Sequence, residues 1–215
     1  MTDTIRARHA QLQDLTVYLA RLTRLESTAM VRLRQLPNQR VAVWCWTPLE
    51  VLALRGVVGE LSNPDITVRA DALLEQLRAT LAGTSGDMTV DLPAAQDLWW
   101  RGPLPPSGQA IDVIPAAQVN ALLEAAERTF REVSAIAAIP QRAGEALLDH
   151  VALTVTHEEQ EAQVGVRQLI AAARLGFVEQ SDMQVGVAGA NWTFVATRQG
   201  VIYKTTSTPL ISPFH

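Results

Sequence analysis

Two arginines and two tryptophans in one short stretch are the side chains best suited to chemistry. In VRLRQLPNQRVAVWCW, Arg32 and Arg34, then Trp44 and Trp46, recur at every second position. On pleated strands that spacing projects all four from one face. Indole faces and guanidinium groups stack on nucleobases and hold anions, so this face is a candidate binding platform. The competing expectation has the first helix, or the helix after the meander, lying over the tryptophans while the arginines line the edge. A second candidate is Trp99, Trp100 and Arg101 in the run DLWWRGPLPP. Trp and Arg dominate interface hot spots, so these three are candidate anchors for a partner or a second subunit. Their alternative use is to pin a proline-rich connection to the protein's own core.

No residue set with catalytic or metal-binding spacing accompanies them. His150, His157 and Glu158 are residue types that ligate zinc or iron, but HEEQE carries Glu161 where a zincin helix places its second His. No Cys pair or third His is near in sequence, and a solvated turn accounts for the segment. The run GTSGD, residues 83–87, holds a serine between glycines without the G-x-S-x-G spacing. Gly186, Gly189 and Gly200 fall in predicted hairpin turns and form no phosphate loop. Cys45, on the predicted core face, is a protonated and inert thiol. The expectation is therefore no catalytic residue, no metal and no cofactor. An enzyme assembled from scattered residues is the outlying alternative.

The elements that must position these residues follow from periodicity. Residues 4–25 are expected to form the first helix, because Ile5, Leu12, Leu15, Leu19 and Leu22 recur at three- and four-residue spacing. The stripe also fits a short heptad, too brief to require a coiled coil. Three strands follow between Thr28 and Gly59, the last over Glu50–Val58. Requiring like faces to match sets the first hairpin. A three-residue loop, Pro37-Asn38-Gln39, places Leu33 opposite Val43, Val31 opposite Cys45 and Arg32 opposite Trp44. Val31, Leu33, Val41, Val43 and Cys45 then face the core. Gln39 suits that loop poorly if its position needs positive φ.

Asn63-Pro64-Asp65 reads as a turn, 70–81 as a helix stopped by Gly83, and 83–114 as a long connection. A helix starts at Pro115, with Val119, Leu122, Leu123, Ala126, Phe130 and Val133 inward. Next come a short helix (142–149), strand Val151–Thr156, a polar turn and a return strand Gln163–Val166. The helix Arg167–Leu175 ends at Gly176, with Phe177 folding back, and strands 183–187, 191–197 and 201–204 make a meander. The tail STPLISPFH reads as extended. The fold class is α+β, antiparallel sheets with packed helices in two lobes. An N-terminal helix, meander and helix fill 1–84, a Pro/Gly/Trp-rich connection 85–114, and a C-terminal α+β lobe 115–215.

Composition narrows the function classes. The chain has 215 residues, 48% apolar and 19% charged, which excludes general disorder and suffices for a sizeable core. The N-terminus lacks an apolar h-region and no apolar run is long enough to cross a bilayer, so a soluble, cytoplasmic protein is expected. A single cysteine excludes an intramolecular disulfide. Residues 1–40 carry seven Arg against three acidic residues, a balance of +4, and the rest balances at −8. Such asymmetry marks an anion-binding end or complementary faces of a self-associating protein. A solvated helix face explains it equally.

The stretches VRLRQL…VAVWCWTPLEVLALR, WWRGPLPPSG…VIPA and ALLDHVALTVT together resemble an uncharacterised actinobacterial protein family of unknown function. The resemblance runs from the first helix to the last meander and carries no catalytic signature. It implies a bacterial host and no site residues. The expected function is a cytosolic, non-enzymatic interaction protein that self-associates as a homodimer or binds another protein. The alternative of a different class is a nucleic-acid or anionic-ligand binder using the N-terminal arginines. The acidic total and sparse basic residues of Arg167–Leu175 weigh against that alternative.

Overall fold

A computed structural model describes residues 2–82, 85–100, 102–135, 146, 148–178 and 181–206. The chain folds as two compact units: unit 1 is Met1–Pro48 with Leu52–Pro103, and unit 2 is Leu49–Val51 with the chain from Leu104 onward.

Unit 1 holds β1 (Thr4–Arg8), α1 (His9–Leu25), β2 (Met30–Leu36), β3 (Arg40–Trp46), β4 (Leu52–Leu61), β5 (Asp65–Arg69), α2 (Ala70–Leu81) and β6 (Asp87–Asp91). Its strands pair antiparallel in the order β5-β2-β3-β4-β1-β6. The alternation read from β2 and β3 holds: Val31, Leu33, Val41, Val43 and Cys45 are fully buried. Leu12, Leu15, Tyr18, Leu19 and Leu22 of α1 and Leu73, Leu74 and Leu77 of α2 are buried with them. Arg55 lies opposite Val43 on β4, and its guanidinium reaches Asp14 of α1 at 3.8 Å, which identifies this as the helix-covered face.

The expected register is the observed one, with Leu33 opposite Val43 and Arg32 opposite Trp44 across a loop of residues 37–39. That loop does need left-handed backbone, with φ of 60° at Asn38 and 55° at Gln39.

Three expectations for this unit need correction. Thr4–Arg8 is a strand rather than the first turn of a helix. Ile5 and Ala7 are buried while Arg6 and Arg8 are exposed, and the segment pairs with β4 on one side and β6 on the other. Over so short a segment Ile5 fits either period, and pairing on both edges decides for the strand. Second, the predicted turn at Asp65 already opens β5, whose five residues pair with β2. Third, the stretch read as a bare connection contains β6 and a 3-10 turn at Asp97–Trp99 in this unit, and its remainder supplies β7 (Gly108–Ile114) to unit 2. The helix at 70–81 is as expected, and its predicted stop at Gly83 lies outside the described residues.

Unit 2 is built on β12 (Val201–Thr205), β11 (Trp192–Ala196), β10 (Met183–Ala188) and β7, neighbours in that order and all antiparallel. α3 (Ala116–Ala135) starts one residue after Pro115, whose carbonyl accepts from the amides of Gln118 and Val119. Val119 and Ala126 are buried, Leu122 and Leu123 half-buried, and the side chains of Phe130 and Val133 lie outside the described set. The hairpin β8 (Val151–His157) and β9 (Gln160–Gly165) turns on Glu158 and Glu159 alone. Pairing therefore runs up to His157 and Gln160, and the return strand begins three residues earlier than expected.

α4 (Val166–Leu175) ends at Gly176 with φ 75°, and the Phe177 amide bonds back to Ala172 at 2.7 Å. That is the glycine-closed helix end read from the sequence. The expected helix at 142–149 falls largely outside the described residues, as does the tail beyond residue 206. Among the described residues no helix is long and apolar enough to cross a membrane.

Candidate functional site

β5 is the last strand on one side of unit 1's sheet, and such an edge presents unpaired backbone groups to any passing strand. Here they are occupied. The Asp65 amide donates to Asn63 Oδ1 at 3.3 Å and the Thr67 amide to Asp97 Oδ1 at 2.7 Å. The Thr67 carbonyl accepts from the Gln96 amide at 2.7 Å. Residues 92–100 therefore form a strap along the edge. Its own geometry is fixed by amide bonds from Trp99 to the Gln96 carbonyl and from Trp100 to the Asp97 carbonyl, at 2.9 and 3.2 Å.

The sequence-predicted residues converge on this strap. Arg32 donates from Nε and Nη2 to the two carboxylate oxygens of Asp65, each at 2.7 Å. Its guanidinium carbon also stands 5.8 Å from the centroid of the Trp100 ring. The Arg34 Nε lies 3.9 Å from Asp65. Hydrogen bonds from Arg32 hold the Asp65 carboxyl below the usual carboxylate range, and Asp65 in turn raises Arg32. The indole Nε1 of Trp100 donates to the Gly102 carbonyl at 3.2 Å. The chain at Gly102 passes so close to Trp46 that a Cβ there would meet the indole at 3.7 Å.

Trp44 is buried opposite Arg32, so its ring has no face free for a base. The covering element expected for the tryptophans was α1 or α2, but both helices pack on the opposite face, and the strap lies on the Arg/Trp face instead. Arg101 lies outside the described residues. The adjacent tryptophans part company: Trp100 turns in to Arg32, while Trp99 is 66% exposed and its neighbour Leu98 is 89% exposed. The sequence reading missed Leu98, and it missed the anchoring roles of Asp65, Thr67 and Asp97. The available signal was an Asp two residues before a Trp pair, placed to accept a backbone amide.

In unit 2 the buried Arg167 side chain meets carboxylates that are themselves exposed. The side chain of Arg167 is bound by Asp149 at 2.8 Å and approached by Glu50 at 3.4 Å, and Lys204 Nζ stands 3.7 Å from Asp149. Arg167 holds the Asp149 carboxyl below its ordinary range. Neighbouring His150 contributes its carbonyl to the Val166 amide. Among the described residues no three His, Cys, Asp or Glu side chains converge as a metal-ligand set. Cys45 is buried, and burial pushes its thiol well above the ordinary value, so it stays protonated.

Comparison with known proteins follows the two-unit division. Residues 1–102 match a domain of unknown function (DUF8010) and residues 103–209 match a second (DUF8185). Together the two matches span residues 1–209, so the chain pairs two family domains of unknown function. No curated protein matches it in sequence.

The fold is nevertheless a known one. The DNA polymerase sliding clamp of Pseudomonas aeruginosa superposes with a TM-score of 0.60 at 13% identity, covering 98% of this chain and 66% of the clamp. A protein assigned as a DNA polymerase III beta subunit from Eubacterium rectale gives 0.64 at 8% identity, with the same two coverages of 98% and 66%. The DNA polymerase III beta subunit of Thermotoga maritima gives 0.55 at 11%, again covering 98% and 66%. The chain thus has the α+β clamp fold and spans just under two-thirds of the length of the clamps it matches.

Proposed function

We propose that this chain is a non-enzymatic, self-associating interaction protein that works as a clamp-fold scaffold in the cytosol. The observation that carries the reading is the likeness of nearly the whole chain to proteins described as clamps and polymerase subunits. Those names describe holding and assembly rather than a reaction. The lone buried thiol suits a reducing compartment. The closed β5 edge and the braced strap favour a rigid surface over a moving catalytic loop.

Size-exclusion chromatography with light scattering, in low and in high salt, tests the reading. A dimer that survives high salt is expected, because apolar contacts are not screened. A monomer at high micromolar concentration in both buffers would overturn self-association.

A second reading, binding of nucleic acid, is favoured by one observation: the structural neighbours belong to DNA polymerases. Arg8 and Arg24 of the N-terminal region are exposed, as is Arg6, which stands 3.7 Å from Asp87. Fluorescence anisotropy with labelled duplex and single-stranded DNA from low to physiological salt tests it. Affinity falling steeply with salt supports this reading, and no binding at low salt sinks it.

A further inference from the structure

We propose that the first turn of α4 is a binding site for a small phosphate. Its donors are the Gln168 side-chain amide, the Lys204 ammonium and the backbone amides of Arg167 and Gln168. The site lies within unit 2 and is independent of self-association.

A helix begins with four backbone amides that have no partner inside it. At α4 two of them are answered. The Gly165 amide donates to Gln168 Oε1 at 3.0 Å, and the Val166 amide donates to the His150 carbonyl at 3.0 Å. The amides of Arg167 and Gln168 are left for an acceptor from outside the helix, at the positive end of its dipole. The bond to Gly165 also fixes where the Gln168 side chain ends, which is at the helix start. Gln168 is fully buried, and its Nε2, on the same carbon as Oε1, meets no acceptor among the described residues. A buried donor without an acceptor is costly, and a ligand oxygen placed there removes the cost.

Space and charge select the ligand. A Cβ built on Gly165 would lie 3.4 Å from Lys204 Nζ and 4.0 Å from Gln168 Oε1, so a bare Cα faces the ammonium and the amide. The cations here are the covered groups, with side chains 9% exposed at Arg167 and 28% at Lys204. The carboxylates that meet them are not, at 57% for Asp149 and 60% for Glu50. An exposed carboxylate turns to water readily and a covered guanidinium does not, so an incoming anion displaces the carboxylate. Asp149 reaches both cations, at 2.8 Å from Arg167 Nε and 3.7 Å from Lys204 Nζ, and so holds the place the phosphate takes. Glu50 reaches Arg167 from left-handed backbone, φ 58°, which makes that pairing easier to give up. Donors converging from a helix start, a strand ammonium and a side-chain amide suit a tetrahedral oxyanion better than a planar carboxylate.

Calorimetric titration of the full chain with inorganic phosphate, and with acetate for comparison, tests the site. Gly165 has φ −85°, which alanine adopts, and the added methyl makes only ordinary contact, so Gly165→Ala keeps the fold while filling the space before Lys204. Gly165→Ala and Lys204→Met should each weaken phosphate binding about tenfold or more, with circular dichroism unchanged. Asp149→Asn should tighten binding about fivefold by removing the competing charge. Glu159→Gln removes an equal charge at the exposed β8–β9 turn and should leave it unchanged. In amide NMR spectra the Arg167 and Gln168 backbone signals and the Gln168 side-chain pair should move together as phosphate is added.

No binding by either the wild type or Asp149→Asn overturns the site, as does binding that Gly165→Ala and Lys204→Met leave untouched. Equal tightening by Asp149→Asn and Glu159→Gln overturns it too, because the ion would then be reading net charge. Acetate bound as tightly as phosphate overturns the choice of ligand.

Discussion

Arg32 and Trp100, far apart in sequence, meet with the guanidinium carbon 5.8 Å from the indole centroid, while Nε and Nη2 of the same guanidinium donate to the two carboxylate oxygens of Asp65. One side chain thus ties β2, β5 and the strap together. A double-mutant cycle on Arg32→Met and Trp100→Leu, followed by urea unfolding, should give a coupling energy of about 0.5–1 kcal/mol. Arg32→Lys should not rescue the contact, because an ammonium cannot span both Asp65 oxygens while lying on the ring. Additive single effects would show that the ring and the cation are merely adjacent.

Asp97 closes the sheet edge through a single acceptor atom, Oδ1, on the Thr67 amide. Asp97→Asn keeps that acceptor and should stay close to wild type. Asp97→Ala leaves a half-buried donor unanswered and should cost about 1–2 kcal/mol. Hydrogen exchange should quicken at Thr67 and Gln96 before the rest of the sheet. If both amides stay as protected as in the wild type, the strap is not held by this bond.

Much of this arrangement was legible and some was not, for identifiable reasons. The β2–β3 register followed from matching faces alone, because a one-residue slip would have put Arg34 in the core. The Arg/Trp face was found by its alternation, but its cover was misjudged. Periodicity says which side chains share a face and is silent on which distant segment lies over it. Thr4–Arg8 was misread because five residues with Ile5 and Ala7 inward do not distinguish a strand from a helix turn, and only pairing to β4 and β6 decides. The division of Trp99 from Trp100 was invisible because it depends on a 3-10 turn set by Thr67, thirty residues upstream of Asp97.

Gln39 sits at φ 55° in the β2–β3 loop, a conformation that costs an L-residue roughly 1 kcal/mol relative to glycine. Its carbonyl accepts from the Gly59 amide at 2.8 Å, a bond any residue supplies. Gln39→Gly should therefore raise stability by about 1 kcal/mol and the unfolding midpoint by about 2–4 °C. An unchanged midpoint would mean that the glutamine side chain makes a compensating contact.

The Arg32–Asp65 and Arg167–Asp149 pairs contribute to the acid limb of stability, beside Glu26 and Asp71, whose carboxyls are also lowered. The Asp65 and Asp149 carboxyls are held below their unfolded value by hydrogen bonds from arginine. Groups shifted this way contribute stability above the unfolded carboxylate pKa of about 3.9 and lose it as pH falls through the lower folded value. Partial exposure screens the pairs, so Asp65→Asn should cost only about 1 kcal/mol at neutral pH. That difference from wild type should shrink steadily below about pH 4 in urea titrations. A difference that stays constant down to pH 2 would contradict the pairing.

Two strand glycines separate space from backbone freedom as the reason for a glycine. A Cβ on Gly186 of β10 would lie 2.1 Å from the Gln109 carbonyl oxygen on β7 and 2.6 Å from the Phe194 ring on β11. A carbonyl in a paired strand cannot withdraw without breaking the ladder, so Gly186→Ala should cost about 2–3 kcal/mol. The first sign should be faster hydrogen exchange along β7, whose register already shifts beside Gly186. A Cβ on Gly56 of β4 meets only the tip of the Arg40 side chain, at 3.2 Å. That guanidinium can swing aside, and the lower unfolded-chain entropy of alanine offsets the adjustment. Gly56→Ala should therefore be neutral within about 0.5 kcal/mol, or slightly stabilising. Equal costs at the two positions would show that strand entropy, not the Gln109 carbonyl, sets the requirement at Gly186.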